Sequence, residues 1–120
     1  MKKILIVDDS ADLIQELTEQ LVKHNYEVHS VTDGQQALNA VTSLKPDLVL
    51  MDIVMPGMNG FETLRELKKL PVEPPHIFMI STKAAKTDEL WAKRQGAEAY
   101  FTKPVDYDAL LTTIKDTLKD

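Results

Sequence analysis

The chain has 120 residues, a formal net charge of −5 and no cysteine. This length fits one domain with a core of its own, an acidic balance disfavours direct nucleic-acid binding, and disulfides and thiolate metal sites are excluded. No apolar run approaches the roughly 20 residues of a membrane span, and Ile4–Val7 is too short for a signal peptide. We therefore expect a single domain over residues 1–120, cytoplasmic, with no membrane insertion.

Short apolar runs alternate along the chain with longer segments of helical periodicity. In the first half, buried strands are predicted at Ile4–Val7, more weakly at Val28–Val31, and at Leu48–Met51. Apolar residues at helical spacing predict the two intervening helices: Leu13, Ile14, Leu17 and Leu21 in the first, and Ala37, Leu38, Val41 and Leu44 in the second. Asp33, with Gln36 three residues later, is typical of a capping box.

The alternation continues in the second half of the chain. Strands are predicted at Ile77–Ile80 and Ala99–Thr102, and the proline-rich segment Pro71–Pro75 predicts a connector. A fourth helix is predicted from about Ala84 to Gln95, closed by Gly96. Apolar spacing predicts the other two helices: Phe61, Leu64 and Leu67 in the third, and Leu110, Leu111, Ile114 and Leu118, after the N-cap Asp106, in the fifth.

Five strands alternating with five helices predict an α/β fold with a doubly wound parallel sheet covered on both faces. In such sheets, functional sites form outside the carboxyl ends of the strands. Polar residues follow four of the five predicted strands there: Asp8 and Asp9, then Asp52, Ser81 and Lys103. This convergence predicts one functional site at that edge.

The three aspartates of this group require a compensating charge. Two carboxylates about 4 Å apart repel by roughly 4 kcal/mol at an effective dielectric near 20, whereas a whole domain is stable by only about 5–15 kcal/mol. One lysine does not balance three carboxylates, and an oxygen-only ligand set favours Mg²⁺. Because Mg²⁺ commonly binds carboxylates together with a phosphate, the pattern indicates phosphoryl chemistry with an aspartate nucleophile.

These residues and their neighbours form an ordered pattern over the whole chain. Its parts are Asp8-Asp9, Asp52 followed by Met55-Pro56 and Gly60, then Ser81, then Lys103-Pro104. The pattern resembles the CheY-like receiver domains of response regulators. Two further segments, Ser81-Thr82-Lys83 and Trp91–Ala97, are similar to the receivers of twitching-motility (Pil-type) systems.

The resemblance implies a flavodoxin/CheY-like fold with strand order 2-1-3-4-5. Because the chain stops where the fifth helix is predicted to end, we expect a stand-alone response regulator with no output domain. The resemblance implies chemotaxis-like signalling in which a histidine kinase or phosphotransfer protein donates a phosphoryl group. Phosphorylation then changes the surface of the fourth helix, fifth strand and fifth helix, which controls binding of a downstream target protein. Such a domain is a signalling switch that assists its own phosphorylation and dephosphorylation, not an enzyme.

The resemblance also implies a role for each site residue. In phosphoryl chemistry the roles are Asp52 as phosphoacceptor, Lys103 as phosphoryl contact, Ser81 as switch hydroxyl and Tyr100 as aromatic switch. The Mg²⁺ ligands implied are Asp9 directly, Asp8 mostly through water, Asp52, and the backbone carbonyl of Val54. Val54 and Lys83 occupy positions that tune the loss of the phosphoryl group, and the Lys103-Pro104 peptide is expected to be cis.

Several simpler interpretations remain open. Asp9 could only cap the first helix, Lys103 could be an exposed loop lysine, and Trp91 is expected to pack rather than to contact a partner. The whole protein could be a phosphate sink or a phosphorylation-independent interaction module. A small-ligand site of flavodoxin type is disfavoured because Asp8-Asp9 would repel phosphate without metal. An aspartate-nucleophile phosphatase is disfavoured because Val54 stands where it would need a second acid.

Overall fold

Five strands and five helices alternate along the chain, as the sequence predicts. The computed structural model describes residues 1–83 and 85–119. The strands are β1 (Lys3–Val7), β2 (Glu27–Val31), β3 (Leu48–Met51), β4 (His76–Ser81) and β5 (Ala99–Thr102). The helices are α1 (Ala11–Lys23), α2 (Gly34–Leu44), α3 (Gly60–Lys69), α4 (Lys86–Arg94) and α5 (Tyr107–Leu118).

All five strands form one parallel sheet in the order β2-β1-β3-β4-β5, which confirms the predicted topology. Val7 pairs with both Val31 and Met51, and Met51 pairs with Met79. The carboxyl ends of neighbouring strands therefore lie side by side. Residues that directly follow these ends come to one edge of the sheet.

The sheet is covered on both faces, and each face has its own core. On one face, β-strand side chains pack with α2, α3 and α4 through residues such as Val41, Leu64 and Ala92. On the other face, they pack with α1 and α5 through residues such as Leu17 and Ile114. Every β3 side chain is buried, which explains why this strand reads as an unbroken apolar run. Within the described part of the chain, no helix has the length and hydropathy to cross a membrane.

Side-chain caps fix the helix starts that the sequence predicts. Asp33 accepts a hydrogen bond from the N–H of Gln36 at 2.8 Å, and Asp106 accepts one from Ala109 at 3.1 Å. Ser10 caps α1, so Asp9 is not the N-cap of that helix.

Helix α4 is shorter than predicted. It begins at Lys86 and ends at Arg94, with Gln95 as its C-cap and Gly96 following at φ +109°. The predicted start, Ala84, lies outside the described residues. The residue at the N-cap position, Ala85, makes no side-chain cap, so no residue type indicates where the helix begins.

Candidate functional site

Asp8 and Asp9 follow β1 and have different environments. Asp8 is buried, and its N–H donates to the carbonyl of Val31 at 3.2 Å. Ser10 fixes the Asp8 side chain by donating its N–H to Oδ1 at 2.8 Å, while its own hydroxyl caps α1. Asp9 is exposed. The start of α1 therefore holds one carboxylate inside the protein and leaves the next at the surface.

Asp52 follows β3 and is held by backbone contacts. Its N–H donates to the carbonyl of Val7 at 2.9 Å, and the residue is 6% exposed. The N–H of Val54 donates to Oδ1 of Asp52 at 3.3 Å, while the Val54 side chain is 55% exposed. A Cβ at Gly60 would clash with the Asp52 carbonyl oxygen and lie 2.8 Å from Cα of Ile53. Glycine is therefore required where α3 begins against this segment.

The three aspartates form one cluster, and Lys103 reaches into it. Carboxylate oxygens of Asp8, Asp9 and Asp52 all lie within 4.8 Å of one another. The Nζ of Lys103 donates to Oδ2 of Asp8 at 2.9 Å and to Oδ2 of Asp52 at 3.3 Å. The backbone N–H of Lys103 donates to the Ser81 carbonyl at 2.8 Å, which fixes the lysine to β4. Lys103 is thus a half-buried bridge between two carboxylates, not an exposed loop lysine.

This arrangement changes two pKa values. Burial raises the pKa of Asp52, and the nearby Asp8 adds to this effect, while Lys103 opposes it. Burial would lower the pKa of Lys103, but its hydrogen bond to Asp8 and the charge of Asp52 outweigh burial and raise it. Lys103 is therefore held in its charged form, whereas ionised Asp52 is not fully compensated.

The cluster has the donor set of a hard divalent cation. All three ligand candidates offer carboxylate oxygens, and no histidine or cysteine belongs to the cluster. One lysine charge faces three carboxylates, so a cation of two positive charges fits the remaining imbalance. The described residues at this site can therefore hold a metal ion of the Mg²⁺ type.

Ser81 and Tyr100 form a second part of the site. Ser81 is fully buried at the end of β4, and its Oγ accepts a hydrogen bond from the N–H of Lys83 at 3.1 Å. The hydroxyl of Tyr100, on β5, donates to the Lys83 carbonyl at 2.6 Å, and burial raises the pKa of Tyr100. The backbone of Lys83 therefore links the two side chains. This link could not be predicted from the sequence, because backbone hydrogen bonds carry no residue-type signature.

The structure brings the predicted site residues to one edge of the sheet. Lys103 forms ion pairs with both Asp8 and Asp52, and Asp9 lies beside them. The Lys103-Pro104 peptide is cis, as the resemblance implied.

Comparisons with known sequences agree with this geometry. The family described as "Response regulator receiver domain" matches residues 4–115. The chain is 45% identical over 119 residues to Protein PilH of Pseudomonas aeruginosa, covering 98% of each chain. It is 36% identical over 118 residues to the DNA-binding response regulator MtrA of Mycobacterium tuberculosis, but spans only 51% of that protein.

Solved structures show the same fold. The chemotaxis protein CheY4 of Vibrio cholerae matches with a TM-score of 0.88 at 30% identity, covering 98% of both chains. The BeF3-activated receiver domain of Klebsiella pneumoniae RstA matches with a TM-score of 0.91 at 26% identity, over 99% of this chain and all of that one. With its sheet order, its acidic cluster and these matches together, the chain belongs to the response-regulator receiver-domain family.

Proposed function

We propose that this receiver domain accepts a phosphoryl group on Asp52 from a histidine kinase or phosphotransfer protein. The observation that carries the proposal is the environment of Asp52. Its carboxylate is buried, lies within 4.8 Å of two others, and receives the Nζ of Lys103 at 3.3 Å. A buried carboxylate whose negative charge is not fully compensated favours binding of a cation, and it can then accept a phosphoryl group.

The transfer step follows from the groups present. A lone pair of an Asp52 carboxylate oxygen forms a new P–O bond while the P–N bond of the donor phosphohistidine breaks. The imidazole leaves with the electron pair of the broken bond. The Lys103 ammonium group stabilises the negative charge on the transferring oxygens. Hydrolysis reverses the modification: water attacks phosphorus, the P–O bond to Asp52 breaks, and the water's proton goes to the departing inorganic phosphate or to solvent. Both reactions take place on Asp52 of the domain itself, and side chains of the domain promote them. The domain therefore acts as a switch that assists its own phosphorylation and dephosphorylation.

We propose Mg²⁺ as the cofactor of the aspartate cluster. Its ligands would be Asp9 directly, Asp8 mostly through water, Asp52, and the backbone carbonyl of Val54. When bound, Mg²⁺ supplies positive charge that offsets the carboxylates and attracts phosphoryl oxygens. Lys103 then becomes available to contact the phosphoryl group instead of balancing Asp8 and Asp52 alone.

The switch is carried by Ser81, Lys83 and Tyr100. After phosphorylation, the Ser81 hydroxyl turns from the Lys83 N–H to donate to the phosphoryl group. The Tyr100 hydroxyl is hydrogen-bonded to the carbonyl of Lys83. Movement of the segment from Ser81 to Lys83 therefore changes the position of the tyrosine and draws it inward. The population then shifts to a state with a different α4–β5–α5 surface, which a target protein recognises.

Val54, whose side chain is exposed, lies two residues after the phosphoacceptor Asp52, and Lys83 lies two residues after the switch hydroxyl of Ser81. We propose that Val54 shields the phosphoryl group by bulk and so lengthens its lifetime. We also propose that the protein is a Pil-type regulator in a twitching-motility system, and its 45% identity to Protein PilH over 98% of both chains supports this.

The test is intact-mass spectrometry after incubation with acetyl phosphate, with and without Mg²⁺. We expect one added phosphoryl group on the wild type with Mg²⁺ and none on Asp52→Asn. Asp106→Asn is the matched control, because Asp106 caps α5 and does not belong to the aspartate cluster. It should be modified like the wild type. Equal modification of Asp52→Asn, or modification that ignores Mg²⁺, would contradict the proposal.

A further inference from the structure

One strip of the surface, between α3 and α4, contains the single tryptophan and both arginines of the chain. We define the α3–α4 seam as Phe61, Arg65 and Lys68 of α3 with Trp91 and Arg94 of α4. Residues three or four positions apart on a helix share a face, so each helix contributes one continuous row. The sheet, the phosphoacceptor site and the proposed switch do not use these side chains.

The two rows of the seam are in contact. The rings of Phe61 and Trp91 meet edge to face, with centroids 6.4 Å apart and planes at 78°. At the other end, the Cε atom of Lys68 would lie 2.9 Å from a Cβ on Gly96, just after α4. Trp91 is nevertheless 47% exposed, and its neighbour Leu90 is 56% exposed. The expectation that Trp91 serves only in packing therefore describes just part of its surface.

The seam is positively charged on a protein whose net charge is −5. Among the described residues, no carboxylate forms an ion pair with Arg65, Lys68 or Arg94. Neighbouring lysines are paired within their own helices: Lys69 with Glu66 at 3.0 Å and Lys93 with Glu89 at 3.4 Å. By the same spacing, two acids share these faces: Asp88 lies three residues before Trp91 on α4, and Glu62 lies three residues before Arg65 on α3. The three basic side chains of the seam outnumber them.

We propose that the α3–α4 seam binds an acidic peptide segment of a partner protein, with an apolar side chain of that segment resting on Trp91. Tryptophan and arginine are the residues most enriched among energetically dominant interface positions. Unpaired cations beside an exposed aromatic surface complement an acidic, amphipathic partner. The seam lies on the α3-facing side of α4, so it is separate from the α4–β5–α5 surface, and its binding does not depend on phosphorylation of Asp52.

Trp91 also supplies the measurement, because it is the only tryptophan in the chain. The probe is a synthetic peptide with Glu and Leu at helical spacing and no aromatic residue, titrated against the unphosphorylated protein. A second peptide carries Lys in place of every Glu. We expect the acidic peptide to shift Trp91 emission to shorter wavelength and to bind at least about tenfold more tightly than the basic one.

Two double variants with equal charge change locate the binding site. Arg65→Glu with Arg94→Glu should weaken the acidic peptide by about tenfold or more, since both cations face it. Lys23→Glu with Lys115→Glu, at exposed ends of α1 and α5, should weaken it only slightly. Circular dichroism checks that both variants are folded.

Three results would overturn the proposal. The first is equal weakening by the two double variants, and the second is equal affinity for acidic and basic peptides. The third is a wild-type dimer in sedimentation that Arg65→Glu with Arg94→Glu dissociates, because a second copy of the chain would then occupy the seam.

Discussion

Asp52→Asn is expected to stabilise the metal-free protein, although this residue is central to the proposed function. The Asp52 side chain is buried beside Asp8, and burial raises its pKa. Asparagine has nearly the same shape, but its single amide oxygen can accept from only one of the two donors, either the Val54 N–H, which donates to Oδ1 of Asp52, or Lys103, which donates to Oδ2. The substitution therefore removes a buried charge at the cost of one of these two hydrogen bonds.

The magnitude follows from the distances at the cluster. At an effective dielectric near 20, a carboxylate at the 4.8 Å outer limit of the cluster opposes the Asp52 charge by roughly 3.5 kcal/mol. Lys103, at 3.3 Å, favours that charge by roughly 5 kcal/mol. Asp8 therefore offsets about two thirds of the attraction to the lysine, and most of the cost of burying the Asp52 charge remains. We expect Asp52→Asn to raise the unfolding free energy by about 1–3 kcal/mol.

The assay is urea unfolding in EDTA across a series of pH values. A raised pKa means that the folded protein binds the Asp52 proton more tightly than the unfolded chain does, so ionisation costs stability. The wild type should lose stability relative to Asp52→Asn as pH rises from about 3.9, the unfolded value, through the higher folded pKa. Below that window, the two unfolding free energies should converge.

Asp9→Asn is the matched control, because Asp9 belongs to the same cluster but is exposed. It should change the unfolding free energy by less than about 0.5 kcal/mol. If Asp52→Asn proves less stable than the wild type in EDTA at neutral pH, the attraction to Lys103 exceeds burial and repulsion together. The account of an uncompensated carboxylate would then be wrong.

Three further predictions concern the same site. Lys103→Met should lower the unfolding free energy by about 3–5 kcal/mol at neutral pH, because buried Asp8 loses its partner; a loss under about 1 kcal/mol in urea unfolding would refute this. Mg²⁺ at 100 times its Kd should add about 2.7 kcal/mol to the wild type and clearly less to Asp52→Asn; an equal gain would contradict the assigned site. Gly60→Ala should lower the unfolding free energy by about 3 kcal/mol, because its Cβ would clash with the backbone. Gly57→Ala has open space but φ +73°, and should lower it by about 1 kcal/mol. Thermal unfolding compares the two variants, and equal losses would refute the close packing at Gly60.

Much of the fold follows from the sequence because buried parallel strands have a direct signature. The bounds of β3 and β5 were predicted to the residue, since both are short runs between polar or turn residues. The start of α4 was not, because Ala85 provides no capping side chain. The starts of α2 and α5 were predictable because Asp33 and Asp106 are capping residues whose side chains accept hydrogen bonds there.

The site was predictable in its members but not in its bonds. Strand ends identified Asp8, Asp52, Ser81 and Lys103, since parallel strands deliver these residues to one edge. The sequence did not indicate that Lys103 joins Asp8 to Asp52, because the choice of partner depends on distances between segments 51 and 95 positions apart. The exposure of Trp91 was also not predictable, because an aromatic residue on an amphipathic helix has the same pattern whether it is covered or not.

The central claim is that the phosphoryl group is carried by the Asp52 carboxylate, and reductive trapping tests it most directly. The protein is phosphorylated by a phosphorylated histidine-phosphotransfer protein in Mg²⁺ and treated with borohydride, which converts an aspartyl phosphate to homoserine. Peptide mass spectrometry then locates the product. We predict homoserine at position 52 alone, dependent on Mg²⁺ and absent from an unphosphorylated sample. Homoserine at position 8 or 9 instead, or stable phosphate on a hydroxyl such as that of Ser81, would contradict the account.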